Sequence, residues 1–156
     1  MKSVILSVQP KWCELIASGE KTIEVRKTAP KLETPFKVYV YQTKIKFKVK
    51  NWQENFQSIV FTPNGGVEEG NGKVIGSFVC DRVRLCIPFG LKGHLLSQEV
   101  YREMCLTKEQ LDKYGGLKTL YGWHITEPTL FDKPRELGEF GITRAPMSWC
   151  YVEQAP

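Results

Sequence analysis

Within eight residues, Gly19-Glu20-Lys21-Thr22-Ile23-Glu24-Val25-Arg26, the chain gathers an amine, a hydroxyl, a carboxylate and a guanidinium. The glycine reads as a turn, which sets Lys21 and Thr22 at the entrance of a strand. Side chains alternate across a strand, so Thr22, Glu24 and Arg26 share one face and Ile23 and Val25 the other. Glu24 and Arg26 then lie about 7 Å apart, and the flexible stem of Lys21 reaches the same surface. Such a set binds a base edge, a phosphate or a polar small molecule. A lysine beside a carboxylate also suits proton transfer, if burial tunes the pair. The competing reading is a solvated strand face with internal ion pairing.

A second pattern follows it. Phe36 to Lys50 holds five Lys and no acid, which equals the net charge of +5 carried by all 156 residues. Lys44, Lys46, Lys48 and Lys50 alternate with Ile45, Phe47 and Val49, so one strand face carries ammonium groups about 6.7 Å apart. That face fits a nucleic-acid backbone, with an attraction that salt weakens. It equally fits an edge strand protected from aggregation by lysines. Just before it, Tyr39 and Tyr41 share a face opposite Val38 and Val40. With the valines in the core, the tyrosines form a stacking platform for bases; with the tyrosines in the core, they do not. Further along, His124 is either a satisfied structural histidine or an imidazole working in a cleft, and Trp149 is read as core or pocket wall.

These residues need elements to hold them. Ser3 to Val8 is a short apolar run and reads as a buried strand. Pro10 opens a helix with Trp12, Leu15 and Ile16 at helical spacing, and Gly19 stops it. Strands follow at Lys21–Arg26 and Phe36–Thr43. A short helix is expected over Asn51–Ile59 and a turn over Pro63–Gly72. Val74–Leu85 is a strand interrupted at Gly76, and Gly90–His94 a loop. Ser97 and Thr107 cap two helices, the second ending at Gly115-Gly116. Thr119–Glu127 and Trp149–Glu153 are the last strands. Strands dominate without alternating with helices, which favours an α+β fold on a curved sheet or small barrel.

Composition narrows the rest. The length predicts one domain, 1–156. No apolar run spans a membrane. Five widely spaced cysteines and two distant histidines give neither a disulfide framework nor a zinc site. The reading is a reduced, cytoplasmic protein with no cofactor and no metal.

Two segments make the sequence recognisable: Leu6-Ser7-Val8-Gln9-Pro10-Lys11-Trp12, and Gly19 to Arg26 with its Gly-x-Lys-x-x-Glu-x-Arg pattern. Together they resemble the ASCH domain, the activating signal cointegrator homology family. Tyr121-Gly122-Trp123-His124 and Ser148-Trp149-Cys150-Tyr151 look like its small phage and prophage members. Residues about 44–72 and 86–118 then read as variable insertions. The resemblance implies a small PUA-like mixed β-barrel with flanking helices and a helical insertion. It also implies a cleft beside the first helix, lined by the motif strand, and an RNA or nucleotide partner. Ligand contacts are then expected from Lys11, Arg26, Tyr39, Tyr41, Lys44, Lys46, Lys48, His124 and Trp149. Some bacterial members are hydrolases: amidohydrolases acting on acetylated cytidine, and a ribonuclease. The amidohydrolases read Lys-Thr-Ile-Thr where this chain reads Lys21-Thr22-Ile23-Glu24. Their catalytic Lys maps onto Lys21, and their catalytic Thr onto Glu24. As a hydrolase the chain would use Lys21, Glu24 and Thr22; as a binding module it would use the same cleft without turnover.

Overall fold

A computed structural model describes residues 1–44, 72–92 and 95–153. The Lys46, Lys48 and Lys50 stripe, the helix expected over Asn51–Ile59, most of the turn over Pro63–Gly72 and His94 lie outside the described residues.

Among the described residues, six strands form one mixed sheet: β1 (Lys2–Val8), β2 (Ile23–Arg26), β3 (Phe36–Gln42), β4 (Val74–Ile87), β5 (Leu120–Arg135) and β6 (Trp149–Glu153). Their order is β2-β5-β4-β3-β1-β6. Only β1 and β3 run parallel; the other neighbours are antiparallel. A parallel pair needs a crossover, and here α1 (Pro10–Ser18) and β2 make it. Helices α2 (Gln98–Met104) and α3 (Lys108–Gly115) interrupt the path from β4 to β5. The architecture is α+β, as the order of elements in the sequence implies.

The first helix begins where proline's missing N–H costs nothing, with Pro10 in its first turn. It ends at Gly19, whose φ of 83° is left-handed and whose N–H donates to the Ile16 carbonyl. Cys13 and Ile16 bury its inner stripe against Val4, Leu6, Val8, Val38, Val40 and Trp123. The caps on the later helices hold as their sequence implies. Ser97 Oγ accepts from Val100 N–H, and Thr107 and Gln110 exchange the two bonds of a capping box. Residues of both helices pack beside β2, where Ile23 and Val25 cluster with Tyr101, Met104 and Leu111.

Three readings change. β5 continues past Glu127 to Arg135, although Pro128 argues against a continuous strand. Glu127 has a φ of 50°, and Glu127 and Pro128 together oppose Phe78 alone, between the pairs Val79–Thr126 and Ser77–Thr129. The bulge absorbs the proline's missing donor. A 3₁₀ turn at Leu137–Phe140 was not signalled. Finally, Tyr39 and Tyr41 are 2% and 5% exposed, so they are not a stacking platform. β3 lies between β4 and β1, with Val38 and Val40 in one core and the tyrosines in another beside Phe140 and Val152. Alternation assigns an outside only when one face is wet.

Gly76 marks a close approach. A Cβ there would run into the Thr129 carbonyl oxygen on β5, so only glycine lets the two backbones meet.

A candidate nucleic-acid cleft

The edge strands of the sheet are β2 and β6. They do not pair, yet they come close, because Arg26 bridges them. Its guanidinium donates to the Ser7 carbonyl of β1 at 2.7 Å and to Ser148 Oγ, just before β6, at 3.3 Å. The sheet is thus curled into an open barrel whose gap is spanned by side chains: Arg26, Trp149 bonded to Thr28 just past β2, and Tyr151, which accepts from Lys31 N–H at 2.8 Å.

A cleft of about 750 Å³ lies along that gap. Ser7, Gln9, Lys11 and Trp12 form one wall, and Leu106, Gln110, Lys113 and Tyr114 the other. Lys21, Glu24 and Arg26 line its floor, and Met147 and Thr43 complete it. The floor is unusual in being charged and dry: Lys21 is 2% and Glu24 6% exposed. Burying a charge is unfavourable unless it is paired, and here three charges pair in series. Lys21 Nζ stands 3.7 Å from Glu24 Oε2 and donates to the Met104 carbonyl. Arg26 Nε and Nη2 reach Glu24 Oε1 at 3.1 and 3.0 Å. Glu24 Oε2 is buried without a hydrogen-bond partner among the described residues. The carboxylate is held on one oxygen and open on the other.

Burial lowers the Lys21 pKa below its usual value; Glu24 opposes that shift and Arg26 adds to it. The indole of Trp12 lies between two ammonium groups, with Lys11 Nζ 4.3 Å and Lys21 Nζ 4.9 Å from its ring centroid. The neighbouring thiols are poor nucleophiles. Burial pushes Cys13 and Cys105 up, and Cys80 up to about 11.

Of the residues read from sequence as a site, the fold gathers Lys11, Lys21, Glu24 and Arg26. Lys44 is exposed, one residue beyond Thr43 at the cleft. The others lie elsewhere. Thr22 does not line the cleft; its N–H donates to the Glu103 carbonyl and its carbonyl accepts from Ile125. His124 is outside it, with Nδ1 2.6 Å from Asp81 Oδ1 on a half-exposed sheet face. Trp149 is also outside, packed at 5.8 Å on Trp123 with its Nε1 donating to Thr28 Oγ1. The wall residues Gln110, Lys113 and Tyr114 carry no signal in local spacing, because docking of α3 against β2 brings them in. The helical spacing of Trp12 marks core, and it serves both core and cleft.

A curled six-stranded mixed sheet with flanking helices and a cleft beside the first helix defines a PUA-like α+β fold. The chain belongs to the ASCH domain family, whose model matches residues 6–134. Solved structures agree on the fold. One is the ASCH protein from Zymomonas mobilis, 18% identical, covering 97% of this chain and 88% of that one at a TM-score of 0.65. A tyrosine-to-phenylalanine mutant of the Zymomonas mobilis protein is 17% identical, with coverages of 99% and 93% and a TM-score of 0.67. A serine-to-alanine mutant is 16% identical, with coverages of 98% and 89% and a TM-score of 0.66. No curated protein matches the chain. No helix among the described residues is long and apolar enough to cross a membrane.

Proposed function

We propose that the cleft binds a single-stranded RNA segment or a nucleotide. The carrying observation is its charge. Lys11, Lys21, Arg26 and Lys113 line it against one carboxylate, Glu24. Phosphate contacts from such groups supply most of the affinity for a nucleic-acid strand. Trp12, half-buried at the cleft wall, offers ring surface for stacking where a base displaces the Lys11 stem, worth about 1–3 kcal/mol per base. Glu24 and Arg26 supply an acceptor and donors for a base edge. In this reading the chain is one domain over 1–156. Its α2–α3 stretch, within the variable 86–118, builds one wall of the cleft and tunes ligand preference.

Titrating single-stranded RNA against salt tests this. Affinity falls as salt rises, and Lys113→Glu or Lys11→Glu weakens binding about tenfold and makes the salt slope shallower by about one. An affinity unchanged between low and moderate salt overturns it.

One observation favours a second reading, hydrolysis of a modified nucleoside or of RNA. The open oxygen of Glu24 faces a buried amine with a lowered pKa, an arrangement suited to general acid–base work. Incubation with acetylated cytidine or with RNA yields product if it is right, and Lys21→Ala abolishes it. Equal product from the variant sinks this reading.

A further inference from the structure

The nucleophile that faces an acid on the cleft floor is the Lys21 amine. Its side chain is 3% exposed, yet it lines the cleft. The Met104 carbonyl accepts one of its hydrogens. Glu24 Oε2 stands 3.7 Å away, and Arg26 holds the other oxygen of that carboxylate. Glu24 therefore keeps Oε2 turned toward the amine, ion-paired with it but with no hydrogen-bond partner among the described residues. The two hydroxyls nearest the motif in sequence are withdrawn, which leaves Thr43 and Tyr114 on the cleft walls. Thr22 does not line the cleft, and Ser7 Oγ donates to the Pro146 carbonyl at 2.6 Å. Desolvation and the nearby Arg26 raise the share of free amine, which is how lysines become carbonyl nucleophiles. Cationic groups at Lys11, Lys113 and Arg26 sit around this pair, where a phosphate next to the reacting carbon would settle.

We infer that Lys21 forms a Schiff base with an aldehyde carried on an anionic sugar phosphate, with Glu24 moving the protons. This rests on the reading of the cleft as a nucleotide or RNA site. The amine lone pair attacks the carbonyl carbon. A C–N bond forms, and the C=O π electrons move to oxygen. Glu24 takes one proton from nitrogen and gives it to that oxygen, leaving a carbinolamine. The second nitrogen proton follows the same route to the hydroxyl, which departs as water while the nitrogen lone pair closes C=N. Amine and aldehyde become imine and water, with no oxidant or reductant. Two sources present this chemistry: a free aldose phosphate, or a base-free sugar within a nucleic-acid strand. Cations on both walls, Lys11 and Lys113, favour the strand.

The full chain is incubated with sodium cyanoborohydride, whose hydride fixes the protonated imine as a secondary amine. One arm contains a single-stranded oligonucleotide with one abasic site, the other ribose 5-phosphate. Binding of intact RNA of equal length is measured by anisotropy in parallel. Peptide mass spectrometry should place the adduct on Lys21, at least tenfold above any surface lysine. Lys21→Met should remove it. Glu24→Gln, checked for fold by circular dichroism, should slow trapping at least tenfold. Excess intact RNA should compete it away. A Lys21 adduct with ribose 5-phosphate alone, and no RNA binding, upholds the Schiff base with the free sugar as its source and overturns the RNA reading. Intact RNA that binds while adducts scatter evenly over surface lysines overturns the Schiff base and leaves the RNA reading standing. Neither binding nor adduct overturns both.

Discussion

Two acid–base constellations sit on opposite sides of β2 and β5, and they differ in almost everything except residue type. Lys21, Glu24 and Arg26 are withdrawn from water, locked in series and open to a cleft. Asp81 and His124 make a shorter contact, 2.6 Å, but their side chains are 42% and 27% exposed on an open sheet face. Distance alone would rank the second pair higher. Burial reverses the order, since solvent screens an exposed pair to about 0–1 kcal/mol, while a dry pair feels the full penalty of losing a partner. A short contact is therefore a weaker sign of function than a buried, half-satisfied one.

The largest way to break this contrast is Glu24→Ala. It strands two cations in the barrel gap and should lower unfolding free energy by about 3–5 kcal/mol, read by urea denaturation. A loss below about 1 kcal/mol would mean that water already reaches the floor. Arg26→Lys comes next. A single ammonium cannot serve Glu24, Ser7 and Ser148 together, so about 1–3 kcal/mol should be lost, with hydrogen exchange rising first at the ends of β1 and β2. Uniform exchange would refute the bridging role.

Titration sharpens the comparison. The Lys21 amine has a lowered pKa in the folded state, so the unfolded chain binds more protons between that value and the ordinary 10.5. Stability from this group thus rises as pH climbs through the window and is lowest below it. Lys21→Met should abolish that rise; an unchanged alkaline limb would assign it elsewhere. The smallest expected effect is Asp81→Asn, under about 1 kcal/mol in thermal unfolding and without consequence for RNA affinity. A clear loss of binding there would move the site to the other face.

Much of this arrangement is legible in the chain. Pro10, Gly19, Ser97 and Thr107 mark helix ends by backbone chemistry that is local, and local chemistry survives folding. The alternation of Ile23, Glu24, Val25 and Arg26 gave the correct faces. What could not be read is sidedness where both sides are covered, as at Tyr39 and Tyr41. Equally hidden were partners supplied by distant docking, such as Lys113, Tyr114 and Met147. The bulge at Glu127 and Pro128 shows the same limit, since a proline's tolerance depends on the strand opposite. His124 pairs with Ile23 of the motif strand, yet its side chain serves the far face. Neighbouring in a sheet is not the same as sharing a site.

The gap spanned by Arg26 has one more consequence. A sheet closed by backbone bonds has a fixed girth, whereas one fastened only by side-chain clasps can widen or tighten at that line alone. Whatever settles in the gap becomes a further clasp, and the girth of the barrel then reports its presence.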